Sequence, residues 1–169
     1  MSKQPISNWE DRKQHLSFWW ATVGGVGLLK PAPGTWGSFA ALIAGYMLID
    51  AGASAAMLLA AVALITVVSM RAIDDIEAKS GIHDAPEIVI DEVAGQWIAL
   101  LPLLYFPSSY LAYGIAFVLF RIFDIIKPWP IGPLDRKVSG GFGVMIDDIV
   151  AGCFAALILY ALLYFHLLQ

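Results

Sequence analysis

The sequence predicts an all-α integral membrane helical bundle, with about five membrane-associated helices and polar loops on the cytoplasmic face. Three observations predict it. Hydrophobic residues make up 59% of the 169 and charged residues only 14%, too few to cover a soluble domain, which carries roughly 25%. The charges cluster and leave four uncharged stretches, 31–49, 51–70, 93–120 and 149–169, of 19, 20, 28 and 21 residues. All ten Lys and Arg residues fall in three groups: Lys3, Arg12, Lys13 and Lys30; Arg71 and Lys79; Arg121, Lys127, Arg136 and Lys137. A topology that puts these groups on one side satisfies the positive-inside rule.

Residues 1–30 are expected to form an N-terminal segment. It begins MSKQPISNWEDRKQHLSFWW, which is charged and lacks an early apolar run, so it does not read as a signal peptide. Trp9–Trp20 reads as an interfacial amphipathic helix anchored by Trp9, Leu16, Phe18, Trp19 and Trp20. Residues 31–169 are expected to form a single membrane-embedded domain.

The stretch 31–49 opens with PAPGTWGS, so its helix is expected only from Trp36 to Ile49, short of the roughly 20 residues a span needs. Stretches 51–70 and 149–168 are each long enough. The 28-residue stretch is too short for two full spans. Yet a single span would put 71–92 and 121–148 on opposite faces. A hairpin turning at Pro107-Ser108-Ser109 keeps both on the basic face. Its second helix would run to Ile126, about 18 residues or roughly 27 Å. The expected topology is N-terminus in, C-terminus out.

Composition also removes whole function classes. Net charge is −4, so no basic field exists to hold nucleic acid, and no nucleic-acid partner is expected. The single cysteine, Cys153, allows neither an intrachain disulfide nor a Cys-based zinc site.

Three polar segments carry the candidate chemistry. The first is Lys30-Pro-Ala-Pro-Gly-Thr-Trp-Gly-Ser38. Thr35 or Ser38 can cap the helix that follows. Free N–H groups at that start, helped by Gly34 and Gly37, make a phosphate-sized anion site. The second is His83-Asp-Ala-Pro-Glu-Ile-Val-Ile-Asp-Glu92. Asp84, Pro86 and Glu87 read as N-cap, first turn and N3 acid. Glu87 and Asp91 then share a helical face and repel unless a cation lies between them. Asp91 and Glu92 stand at the edge of an apolar run, where unpaired charge is costly. Mg²⁺, a hard ion that takes carboxylates and substrate phosphate together, is the natural partner.

The third segment runs from Arg121 through Asp124 and Lys127 to Asp135-Arg136, then through Gly140, Gly141 and Gly143 to Asp147-Asp148. Arg121, Asp124 and Lys127 recur every three residues, so a helix ended by Pro128 presents them on roughly one side. The glycines read as a flexible loop, and Asp147-Asp148 as the opening of the last membrane helix. Two acidic pairs on one membrane face, flanked by Arg and Lys, call for a polyanionic ligand met at the membrane surface. A metal-dependent enzyme or binder of a phosphorylated lipid satisfies this.

Other phosphatase chemistries lack their signatures. There is no Cys followed five residues later by Arg, no Asp-x-Asp-x-Thr and no Pro-Ser-Gly-His. The CDP-alcohol phosphatidyltransferases, also acidic, Mg²⁺-dependent and membrane-bound, have a signature that begins Asp-Gly, and the chain has no Asp-Gly.

PAPGTWGS at 31–38, HDAPEIVIDEVAGQW at 83–97, RIFDIIKPWPIGPLDR at 121–136 and GGFGVMIDDIVAG at 140–152 together resemble the phosphatidylglycerophosphatase A family. The resemblance covers nearly all of the chain beyond residue 20. It implies a bacterial inner-membrane enzyme that uses Mg²⁺ to remove the terminal phosphate of phosphatidylglycerophosphate. On that reading Asp91, Glu92, Asp147 and Asp148 hold the metal. Asp124, Lys127 and Arg121 are catalytic. Gly34, Thr35, Ser38, Arg136 and Gly141 bind substrate. The attacking group, an aspartate or a water, stays open, and His83 is a candidate proton donor. The partners expected are the lipid substrate and membrane lipids. A CDP-alcohol transferase-like enzyme and a non-enzymatic transporter are the rival readings.

Overall fold

In lipid every backbone group must be paired within the chain, which favours helices. The computed structural model describes residues 4–82, 85–106 and 109–168. Among them it forms helices α1 (Leu16–Ala21), α2 (Pro33–Asp50), α3 (Ala55–Ser80), α4 (Ile90–Ala99), α5 (Tyr110–Ile126), α6 (Ile131–Lys137) and α7 (Gly140–Tyr164), four short 3-10 segments and no strand. The four uncharged stretches are thus occupied by α2, α3, α4 with α5, and α7. Two helices, α3 with 26 residues and α7 with 25, are long and apolar enough to cross a membrane.

The boundaries have local causes. The Ser54 side chain accepts from the Met57 N–H at the start of α3, and Gly81, at φ 68°, ends the helix in the left-handed region. Helix α2 begins at Pro33 rather than Trp36, because a proline has no N–H to lose at the first position. Its N-cap is Ala32 with no side-chain cap, so neither Thr35 nor Ser38 caps it. The hairpin limb α5 has 17 residues and ends at Ile126, where Pro128 stops it. Pro107 and Ser108 of the expected turn lie outside the described residues. The other limb is shorter. Helix α4 and the 3-10 segment Leu101–Leu104 reach about 23 Å at 1.5 and 2.0 Å per residue.

Three further expectations fail. Helix α4 starts at Ile90, not near Asp84–Pro86. Glu87 lies in the preceding turn and accepts the Ile6 N–H at 2.9 Å, so it shares no helical face with Asp91. His83 and Asp84 lie outside the described residues. Gly140, Gly141 and Gly143 are not a loop but the first turn of α7. A Cβ on Gly141 would overlap the Met70 carbonyl of α3, so the glycine serves a close helix approach. The N-terminal segment is no continuous amphipathic helix. Leu16, Trp19 and Trp20 are exposed, but Trp9 and Phe18 are buried in the core.

Helix α4 is the centre of the bundle, with eight of its ten residues buried. It crosses α7 backbone to backbone, where a Cβ on Gly152 would overlap the Gly95 carbonyl. Small residues permit that approach. One turn along from this crossing stand Glu92 of α4 and Asp148 of α7. The start of α2, the end of α5 and the start of α7 meet at this same end of the bundle. Tyr46 of α2, against Tyr110 and Tyr113 of α5, marks the opposite end.

Candidate active site

A cleft of about 280 Å³ opens where these helix ends meet. Its walls include Gly34 and Thr35 from α2, Asp91 and Glu92 from α4, Arg121 and Asp124 from α5, Lys127 and Asp135 beyond it, and Asp147 and Asp148 from α7. Both acidic pairs and the Arg121–Asp124–Lys127 series therefore converge on one space. Asp91 and Glu92 lie in the first turn of α4, where negative charge meets the helix dipole favourably. Asp147 and Asp148 lie two turns into α7, not at its start.

Glu92 is the best-anchored acid. Its Oε2 receives hydrogen bonds from Arg121 Nη1 and from Ser38 Oγ at 2.6 Å, and it is buried. Ser38 in turn accepts from Arg121 Nη1 at 3.2 Å. Arg121 also pairs with Asp124 Oδ2 at 2.8 Å, one helical turn away. Oxygens of Glu92, Asp124 and Asp148 all lie within 4.8 Å of one another.

Lys127 closes α5 as its C-cap at φ 46°, a left-handed conformation costly for a residue with a Cβ. That backbone sends Nζ to Asp147 Oδ2 at 2.6 Å and to Asp135 Oδ1. Burial alone would disfavour its charge, but the hydrogen bonds to Asp135 and Asp147 outweigh that and hold Lys127 above its usual range. It stays an ammonium.

Three atoms in this array are buried without a hydrogen-bond partner among the described residues. Two are acceptors, Asp147 Oδ1 and Asp148 Oδ2; one is a donor, Arg121 Nε. Unmet buried polar atoms are costly. Orphaned carboxylate oxygens in a space that, among the described residues, six acids and two cations share suit a hard cation. An orphaned guanidinium N–H beside them suits an oxyanion.

Gly34 and Thr35 supply the two N–H groups that follow Pro33 in the first turn of α2, donors that have no partner within the helix. Three expected substrate contacts are placed elsewhere. Ser38 is fully buried behind Glu92 and does not line the cleft. Arg136 is exposed and does not line the cleft, although its neighbour Asp135 does. Gly141 packs on α3 and its N–H donates to Asp74 Oδ1 at 2.6 Å. Two residues had no role in the sequence reading. Asp135 pairs with Lys127, and Asp74 takes the place of a cap at the start of α7, where Ser139 offers none. Asp74 carries no local signal, since its partner is 67 residues away.

Similarity to known proteins extends over most of the chain. A model of the family described as Phosphatidylglycerophosphatase A matches residues 19–163. Phosphatidylglycerophosphatase A of Haemophilus influenzae is 40% identical over 144 residues, 85% of this chain and 86% of that protein. Phosphatidylglycerophosphatase A of Escherichia coli is 54% identical over 80 residues, 47% of this chain and 45% of that protein. A Bacteroides thetaiotaomicron protein provisionally named a phosphatidylinositol-3-phosphatase is 36% identical over 138 residues, 80% of this chain and 86% of that protein. No solved structure matches the chain.

Proposed function

Because the chain belongs to the phosphatidylglycerophosphatase A family, we propose that it hydrolyses phosphatidylglycerophosphate to phosphatidylglycerol and inorganic phosphate. The reaction belongs to phospholipid biosynthesis, on the cytoplasmic face of a bacterial inner membrane. The basic residues that flank the cleft support that sidedness. The observation that carries the reading is the set of orphaned atoms in one cleft: two carboxylate oxygens and one guanidinium N–H.

Mg²⁺ is the cation proposed for the acids: Glu92, Asp124 and Asp148 would hold it, with Asp91 beside them in the cleft. When bound there it supplies Lewis-acid neutralisation of phosphate oxygens. The chain's own groups do the rest. Arg121 Nε, without a partner among the described residues, donates to a phosphate oxygen, and the Gly34 and Thr35 amides donate to others. Lys127, held charged by its two ion pairs, adds a fixed positive charge. Asp147 is pinned through Oδ2 and leaves Oδ1 free, so Oδ1 orients the attacking water and takes its proton. The bond from phosphorus to the glycerol oxygen breaks as the water oxygen bonds to phosphorus. Solvent returns a proton to the departing glycerol oxygen.

The test is phosphate release from phosphatidylglycerophosphate by purified protein, with Mg²⁺ and with EDTA, and no nucleotide present. Release that needs the cation supports the reading. Release of CMP from a CDP-lipid, without phosphate release, would establish the transferase instead. No turnover of either lipid would favour a transporter.

A further inference from the structure

Helix α5 carries more than the three polar residues at its end. Gly114, Val118, Arg121 and Ile125 fall at helical spacings that place them in one stripe. Arg121 is shared by the polar cleft and by an apolar hollow of about 330 Å³ against Phe117, Val118 and Ile122. Further along the stripe, Gly114 opens onto a second hollow of about 250 Å³, lined across the seam by Leu42, Ile43 and Tyr46 of α2. A Cβ on Gly114 would meet nothing within 4 Å. Phe117 of α5, which lines the first hollow, meets Phe39 of α2 in a ring contact at 6.3 Å.

We propose that one acyl chain of the lipid whose phosphorylated head enters the cleft lies along this α2–α5 seam, ending against Gly114. The proposal rests on reading the cleft as a lipid-phosphate site. Three observations support it. The seam begins at the cleft itself, since α2 contributes Gly34 and Thr35 and α5 contributes Arg121 to the polar wall. Its length suits an acyl chain: from Thr35 to Tyr46 the helix rises about 16 Å, against roughly 15 Å for the hydrocarbon of one leaflet. Its far end is closed by the rings of Tyr46 and Tyr113, 5.2 Å apart, and Asp50 lines the space beyond. The lipid-facing surface of α3 has no such connection, because no α3 residue lines the cleft.

Two variants fill the seam from opposite sides, Gly114→Trp and Ile43→Trp. Leu64→Trp, on the exposed face of α3, is the control. Each protein is assayed in one detergent with dioleoyl and with dihexanoyl phosphatidylglycerophosphate, whose chains are too short to reach Gly114. Circular dichroism checks the fold. The seam variants should raise KM for the dioleoyl lipid at least about tenfold, the loss of roughly two buried methylenes. Their kcat and their KM for the dihexanoyl lipid should stay at the wild-type values. Unchanged KM in both folded variants, or equal losses on both lipids, would overturn the proposal.

Wild-type protein that turns over neither lipid would refute the phosphatase reading but not the seam. A second arm therefore uses phosphatidylglycerol with a diazirine in one acyl chain, in phosphatidylcholine nanodiscs. Adducts should concentrate on residues 42–46 and 113–118 and disappear in Gly114→Trp. Equal labelling of the Leu59–Val68 face of α3 would show ordinary boundary lipid and overturn the seam.

Discussion

Gly34→Ala separates two physical effects that act in opposite directions. Gly34 is the second residue of α2, and alanine there improves helix propensity by up to about 1 kcal/mol. Propensity alone predicts a slightly more stable and fully active protein. The cleft predicts otherwise. The new Cβ would overlap Glu92 Oε1 and lie 3.3 Å from Arg121 Nη1. Glu92 has little room to retreat, because Arg121 and Ser38 hold its other oxygen and it is only 7% exposed. Displacing the carboxylate forfeits a charged hydrogen bond worth roughly 1.5–3 kcal/mol. Lost from the transition state, that is about one to two orders of magnitude in kcat. The net effect on stability, after the propensity gain, is roughly 0.5–2 kcal/mol, or a few degrees in Tm. Phosphate release in detergent micelles and a thermal melt followed by circular dichroism measure both quantities. Wild-type kcat in a folded Gly34→Ala protein would refute the reasoning, since Glu92 could then move without consequence.

Further predictions concern the ion pairs and the helix crossings. Lys127→Ala leaves the buried Asp147 carboxylate without its counterion and should cost about 2 kcal/mol, between an exposed and a fully buried pair because Lys127 is 27% exposed. The Lys127→Ala, Asp147→Ala double variant should recover part of that loss in a melt, whereas simple additivity would deny the pairing. Gly141→Ala drives a methyl group into the Met70 carbonyl, a backbone atom that cannot turn aside. It should lower stability by about 1–3 kcal/mol, and an unchanged Tm would contradict the close approach of α7 to α3.

Much of this arrangement is legible in the sequence because it depends on charge. Uncharged stretches mark the helices, and the side on which Arg and Lys gather decides between a single span and a hairpin over 93–120. That choice brings Asp91-Glu92, the Arg121 series and Asp147-Asp148 to one end of the bundle. The sequence is misleading where a residue's local habit is overridden by a distant partner. Glu87 looks like a helix-start acid, but it is taken by the Ile6 N–H, so α4 starts later. Glycines at 140–143 look like a loop, but Gly141 is small because α3 lies against it. Ser38 looks like a cap, yet it lies buried against Glu92, 54 residues away. Arg136 has the right charge in the right motif, but α6 turns it to solvent. No local pattern encodes these contacts.

The central claim is that carboxylates from α4, α5 and α7 meet around one shared cation. Isothermal titration of Mg²⁺ into the metal-free purified protein tests it most directly, with wild type compared to folded Asp148→Asn. The account predicts binding to wild type that Asp148→Asn weakens by at least about tenfold, or 1.4 kcal/mol. Equal Mg²⁺ affinity in the two proteins would contradict it.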